Sequence, residues 1–159
     1  MKDWEHSSVV FNFRVAGVAI SRNRLLVHRA ERETNWSLPG GRIQPLEFSD
    51  SALVREMSEE LGASVTVERT LWVMENLFGY AEGKQVHEVC FYYLMRLADD
   101  DPLHDNESDF DGEEAGERLV FRWLPLSELA AAPFNPEMLK ERLLNIPDSP
   151  EVIRANDLG

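Results

Sequence analysis

GRIQPLEFSDSALVREMSEELGA, Gly41 to Ala63, decides how the rest of this chain is read. Its second half carries the marks of a helix. Ser49 or Asp50 suits the N-cap and Gly62 stands where a helix should stop, so the spacing predicts a helix over Ser51–Leu61. At about 100° per residue, Leu53, Val54, Met57 and Leu61 fall on one core-facing arc. Glu56, Glu59 and Glu60 gather on the flanking arc. Like charges three or four residues apart destabilise a helix by ~0.2–0.5 kcal/mol per pair. Arg55 is the only cation within the segment to offset them. A hard divalent cation would explain the arrangement, because Mg²⁺ takes oxygen ligands and shares them with water and phosphates. A solvated acidic helix face explains it as well, and the helix alone does not decide.

Upstream, Leu38-Pro39-Gly40-Gly41 forms a turn in which glycines without Cβ allow close approach and backbone carbonyls become available. Val15–Ile20 and Arg24–Val27 read as strands of a hairpin about Ser21-Arg22-Asn23. Downstream, Val65–Glu75 and Val86–Leu97 read as long strands, with Gly79 and Gly83 punctuating their connection. Arg118–Leu124 is a further strand and Ser127–Ala131 a short helix. Asn135, capping Pro136, opens a last helix to Leu144. Strands interleaved with helices predict a layered α/β (α+β) fold. Asp99–Glu117 holds ten acidic residues and no Lys or Arg. It reads as a solvated loop, or as a loop that folds one carboxylate, Glu113 or Glu114, over a site as base or metal ligand.

The chain of 159 residues fits one domain, 1–159, and its 43% hydrophobic content supports a globular core. Its net charge of −13 argues against broad nucleic-acid binding, since phosphate backbones would be repelled. An anionic substrate can still bind where metal cations neutralise the site. No apolar run reaches the ~18–20 residues of a membrane span, and the Met1–His6 start lacks a secretory hydrophobic segment. Cys90 is the only cysteine, which removes intramolecular disulfides and cysteine-based zinc sites and makes a reducing cytoplasm the expected setting. Gly79–Lys84 falls one residue short of phosphate-loop spacing and Gln85 replaces the needed Ser or Thr. No Gly-x-Ser-x-Gly elbow and no paired-His zinc motif occurs.

Gly41, Glu47, Arg55, Glu56, Glu59, Glu60 and Gly62 fit Gly-x5-Glu-x7-Arg-Glu-hydrophobic-x-Glu-Glu-x-Gly. This resembles the Nudix box of the Nudix hydrolases at every fixed position. Ala63, where the family more often has a larger aliphatic residue, is the one soft departure. Trp36-Ser-Leu-Pro-Gly-Gly, His87-Glu-Val-Cys-Phe-Tyr-Tyr-Leu and Phe121-Arg-Trp-Leu-Pro-Leu-Ser-Glu-Leu resemble the family's flanking strands and turns, so the similarity runs roughly from Arg14 to Leu144. It implies an α/β/α sandwich with a mixed sheet and a loop–helix–loop motif. It also implies hydrolysis of a nucleoside diphosphate linked to another moiety. A noncatalytic Nudix-like domain that senses a nucleotide metabolite is the alternative.

By resemblance, Glu56, Glu59 and Glu60 are metal ligands for Mg²⁺, with Mn²⁺ as a substitute, and Gly40 offers a backbone carbonyl. Glu47 and Arg55 match a pair that fixes the loop on the helix, and Glu59 or Glu60 is a candidate base. Arg29 is a candidate for phosphate, with a surface ion pair as its alternative. Trp36 is a candidate to stack on a base, with packing beneath the loop as its alternative. Tyr80 stands 17 residues past Ala63, near where dinucleoside polyphosphate hydrolases have a tyrosine. No proline lies between Pro45 and Pro102, so the ADP-ribose hydrolase signature is absent, as are those of NADH pyrophosphatases and coenzyme A hydrolases. The expected partner is a small nucleotide-type molecule rather than a membrane, and the sequence is compatible with a homodimer.

Overall fold

The computed structural model describes residues 8–159, so the Met1–His6 start lies outside the described residues. The strands are β1 (Val9–Val18), β2 (Ile20–Ser21), β3 (Arg24–Ala30), β4 (Gly40–Arg42), β5 (Val65–Tyr80), β6 (Lys84–Leu97), β7 (Phe110–Glu114), β8 (Glu117–Pro125) and β9 (Glu151–Asn156). The helices are α1 (Ser49–Leu61) and α2 (Leu139–Leu144), with short 3₁₀ segments at Ala81–Gly83, Pro102–Asp105 and Leu126–Ala131.

A mixed five-stranded sheet runs β4-β1-β6-β5-β9, and an antiparallel four-stranded sheet runs β2-β3-β8-β7. In the first, β1 lies parallel to β6 from Val9↔Gln85 to Val18↔Leu94. β5 and β6 form a long antiparallel hairpin, and β9 closes the edge parallel to β5. Side chains alternate between strand faces, and that alternation sorts the apolar residues into two cores. Val15, Leu26, Leu119 and Phe121 pack with Ala52, Leu53 and Met57 of α1. Their neighbours Ala16, Leu25, Val27 and Val120 pack instead with Leu139 and Leu143 of α2. Strands thus lie between α1 and α2, the expected α/β/α arrangement. Leu53 and Met57 are fully buried, each stabilising the contact by about 1.5–3 kcal/mol.

Several boundaries differ from the sequence reading. The first turn of α1 starts at Ser49, with Phe48 at the N-cap position and no side-chain cap. Ser49 hydrogen-bonds to the Tyr93 hydroxyl instead (2.6 Å), anchoring the helix to β6. Gly62 ends the helix in the left-handed region (φ 63°), as its place predicted. Gly79 sits inside β5, and the turn is carried by Glu82 and Gly83 at φ 66° and 74°. The final helix starts at Leu139 rather than Pro136. The acidic segment is not one loop, since β7 lies within it.

Candidate active site: a carboxylate cluster beside a cavity

α1 carries the central side chains. Glu56 and Glu60, one helical turn apart, are both buried. Glu114 reaches them from the end of β7, and one carboxylate oxygen from each of the three lies within 4.8 Å of the others. Gly112 makes this delivery possible, because a Cβ there would meet the Glu60 carbonyl oxygen at 2.8 Å and press on the Phe121 ring. A tight turn at Ala115-Gly116, both at positive φ, then returns the chain into β8. Glu113 is paired across the strands with Arg118 and stays outside the cluster.

The electrostatics are those of an unsatisfied anion site. Burial, then the nearby Glu114 and Glu56 charges, push the Glu60 carboxyl up to about 9. Burial raises Glu56 too, opposed by Arg55. Both Glu60 oxygens are buried without a hydrogen-bond partner among the described residues. His28 Nδ1 lies 3.5 Å from Glu60 Oε2. Burial lowers that imidazole to about 4, so it is neutral and the contact is not an ion pair. Buried carboxylates without partners are costly, and a hard oxygen-seeking cation relieves them. Three carboxylates converging from two elements therefore fit a hard divalent cation.

The loop before α1 is held by one guanidinium. Arg55 Nε and Nη2 donate to Glu47 Oε2 and Oε1 at 2.7 and 2.9 Å, a bidentate pair. Arg55 Nη2 also donates to the Arg42 carbonyl (3.1 Å), and Nη1 to Glu56 Oε1 (2.9 Å). Glu47 Oε1 accepts from the Gln44 amide as well (3.0 Å). The Arg55 bond, then the Gln44 amide, hold the Glu47 carboxyl down to about 2. Gly41 lies against the Glu56 carboxylate, where a Cβ would displace it, and Gly40 lies against the Val15 backbone carbonyl.

Glu59, expected as a third ligand, differs. Its side chain is 60% exposed and pairs with Arg55 at 3.2 Å, outside the cluster. Successive residues on a helix diverge by about 100°, so Glu60 facing inward turns Glu59 outward. The third carboxylate of the cluster is Glu114. The acidic run had offered Glu113 and Glu114 equally, and only the pairing of β7 with β8 separates them.

A cavity of about 790 Å³ opens next to the glycine turn, lined by Arg14, Asn76, Glu88, Asn135, Asn156 and Asp157 among others. None of the three residues expected to touch substrate outside the box lines it. Trp36 is 4% exposed, with the Arg29 and Arg122 guanidinium carbons 4.8 and 4.5 Å from its ring centroid. Its ring is packed beneath the loop and is not free to stack on a base. Arg29 donates to the carbonyls of Glu31 and Glu33 and holds that turn. Tyr80 is exposed at the far end of β5. Arg14 of β1 and Asn76 of β5 line the cavity, and sequence reasoning singled out neither, because the two strands share a face only once they are in register.

Comparison with known proteins agrees with this geometry. Residues 11–142 match the NUDIX domain family. The chain is 33% identical over 106 residues to a Mycobacterium tuberculosis protein described as mutator protein MutT4, covering 65% of this chain and 39% of that one. It is 24% identical over 139 residues to an RNA pyrophosphohydrolase of Pasteurella multocida, covering 80% of this chain and 69% of that one. The chain thus spans well under half of the first relative's length. Among solved structures, an ADP-ribose pyrophosphatase of Streptococcus suis superposes with a TM-score of 0.59 at 17% identity, over 92% of this chain and 98% of that one. That likeness concerns the fold. No helix among the described residues is long and apolar enough to cross a membrane. With the match running from β1 to α2 and including every fixed position of the box, this chain belongs to the NUDIX domain family.

Proposed function

We propose that the protein is a Mg²⁺-dependent hydrolase that cleaves a diphosphate linkage in a nucleoside diphosphate derivative. The observation that carries this reading is the convergence of Glu56, Glu60 and Glu114 within 4.8 Å, with both Glu60 oxygens unanswered. The names of its relatives, RNA pyrophosphohydrolase and ADP-ribose pyrophosphatase, share cleavage of a pyrophosphate. Bound there, Mg²⁺ or Mn²⁺ would neutralise phosphate oxygens and acidify a water. Glu56, Glu60 and Glu114 would hold the cation, with Gly40 offering a carbonyl nearby. Arg55 and Glu47 act as positioning residues, because one guanidinium fixes both the loop carbonyl of Arg42 and the Glu56 carboxylate. Water attacks one phosphorus, its oxygen forming the new P–O bond as the bridging P–O bond breaks. The other phosphate leaves with the bridging oxygen and its electron pair. Glu59 is solvent-facing beside the cluster and is a base candidate alongside Glu60.

The test is incubation with Mg²⁺ and a panel of nucleoside triphosphates, sugar nucleotides, dinucleoside polyphosphates, ADP-ribose and 5′-triphosphorylated RNA, with products resolved by chromatography. Cleavage between two phosphates, lost in EDTA and restored by Mg²⁺, is the expected result. Tight binding with no cleavage under any active metal would overturn it in favour of a nucleotide sensor. The cellular setting of this reading is a reducing cytoplasm, in which Cys90 stays a buried free thiol.

A further inference from the structure

His28 is the one polar side chain buried in β3, and stability does not explain it. It lies on the strand face of Leu26, which packs against Ala52, Leu53 and Met57 of α1. Its backbone is satisfied, since the amide donates to the Ser37 carbonyl and the carbonyl accepts from the Ser37 amide, both at 2.9 Å. Across the sheet its register partner is Phe121, with ring centroids 5.3 Å apart and planes tilted by 60°. Packing and register thus fix the imidazole, yet its Nδ1 is buried without a partner among the described residues. An apolar residue would fill the place without the cost of an unanswered polar atom, about 1–3 kcal/mol.

The atom facing Nδ1 has the same defect. Glu60 Oε2, 3.5 Å away, is also buried and unpartnered. That separation is a few tenths of an ångström beyond an N–H···O bond of roughly 2.7–3.2 Å. No water fits between the two, and a small rotation of the Glu60 side chain closes the gap. A carboxylate must be ionised to ligate a cation, and a ligating carboxylate is itself hydrogen-bonded by the protein around it. Arg55 meets that need for Glu56 at 2.9 Å, whereas Glu60 accepts no bond from it. Burial keeps the His28 ring neutral, with a single N–H to give. Which nitrogen carries it decides whether Glu60 meets a donor or a lone pair.

We propose that His28 is a positioning residue of the metal site, its Nδ1–H donating to Glu60 Oε2 and so fixing the orientation in which Oε1 is offered to the cation. This deepens the proposed reading and rests on it only in placing a divalent cation among the carboxylates.

The experiment measures Mn²⁺ binding without substrate, free Mn²⁺ being counted by EPR, in wild type, His28→Asn and His28→Phe. The asparagine amide keeps an N–H near the place of Nδ1 and gives up ring volume. Phenylalanine keeps the ring and gives up the donor. His28→Phe should weaken Mn²⁺ by about 10–100-fold, and His28→Asn by a smaller factor. A packing role alone gives the reverse order, with phenylalanine harmless and asparagine damaging. Wild-type Mn²⁺ affinity in His28→Phe, or weaker binding in His28→Asn than in His28→Phe, overturns the proposal. A second measurement needs no folded variant, namely the imidazole ¹⁵N spectrum of the Mg²⁺-loaded wild type. The chain has four histidines, and the buried one should be the Nδ1–H tautomer. An Nε2–H tautomer there overturns the proposal by itself. Neither measurement involves turnover. Weakened Mn²⁺ binding in His28→Phe, in a protein that hydrolyses nothing, would sink the proposed reaction and leave this role standing. Hydrolysis by the wild type with unchanged Mn²⁺ affinity in His28→Phe would do the opposite.

Discussion

Glu60 brings a carboxylate to a place where no described side chain or backbone group bonds it. Such a residue costs stability unless a cation arrives, so its replacement should separate activity from folding. Glu60→Gln should lose most turnover while the metal-free protein melts higher near neutral pH, by on the order of 1 kcal/mol, because burial forces the Glu60 carboxyl to hold a proton that the unfolded chain releases, a cost the amide does not carry. Paired activity assays and melts in EDTA check this. Full Mg²⁺-dependent activity in a folded Glu60→Gln protein would refute the role. Arg55 works in the opposite sense, since it ties Glu47, the Arg42 carbonyl and Glu56 together. Arg55→Ala should reduce the rate by roughly 10–100-fold, the usual penalty for removing a group that orients a ligand. Amide exchange across residues 42–47 should accelerate at the same time. An unchanged rate together with unchanged protection would count against it.

At the scale of elements, the helix and its stop were legible because their signals are local. The Leu53/Met57 stripe, the Glu56/Glu60 spacing and Gly62 depend on helical geometry alone. The hairpin at Arg22-Asn23 was legible for the same reason, and both residues adopt the positive φ that a two-residue turn requires. β7 and β9 were not legible. β7 reads FDGEE, five residues with three acids, and has no apolar alternation. It becomes a strand because β8 offers it an edge and Gly112 lets it approach α1. The third carboxylate was hidden with it, and the residues that line the cavity were hidden by the same non-local pairing that sets Asn76 opposite Glu88. The close approach is itself testable. Gly112→Val should destabilise the protein by about 1–3 kcal/mol through overpacking against Phe121 and the Glu60 carbonyl. It should also depress activity by shifting Glu114. Glu114→Gln should depress activity without that loss of stability, and urea titrations of both variants separate the two effects. Wild-type rates in Glu114→Gln would remove Glu114 from the site.

Across the whole molecule, a net charge of −13 means that any cation stabilises the fold to some degree by screening self-repulsion. A specific site must therefore be told apart from a general ionic effect. Screening depends on ionic strength, whereas site binding depends on occupancy and adds RT ln(1 + [Mg²⁺]/Kd), about 2.7 kcal/mol at one hundred times Kd. For a chain of this size each kcal/mol moves Tm by about 2–4 °C, so a saturated site should raise Tm by about 5–10 °C. That rise should exceed the shift given by NaCl at matched ionic strength. In Glu60→Gln and Glu114→Gln the salt response should persist and the extra Mg²⁺ increment should vanish, since each removes one of the three convergent carboxylates and leaves the surface charge elsewhere intact. Identical Mg²⁺ and NaCl curves at equal ionic strength in the wild type would mean that the acidic cluster is an ordinary part of a highly charged surface.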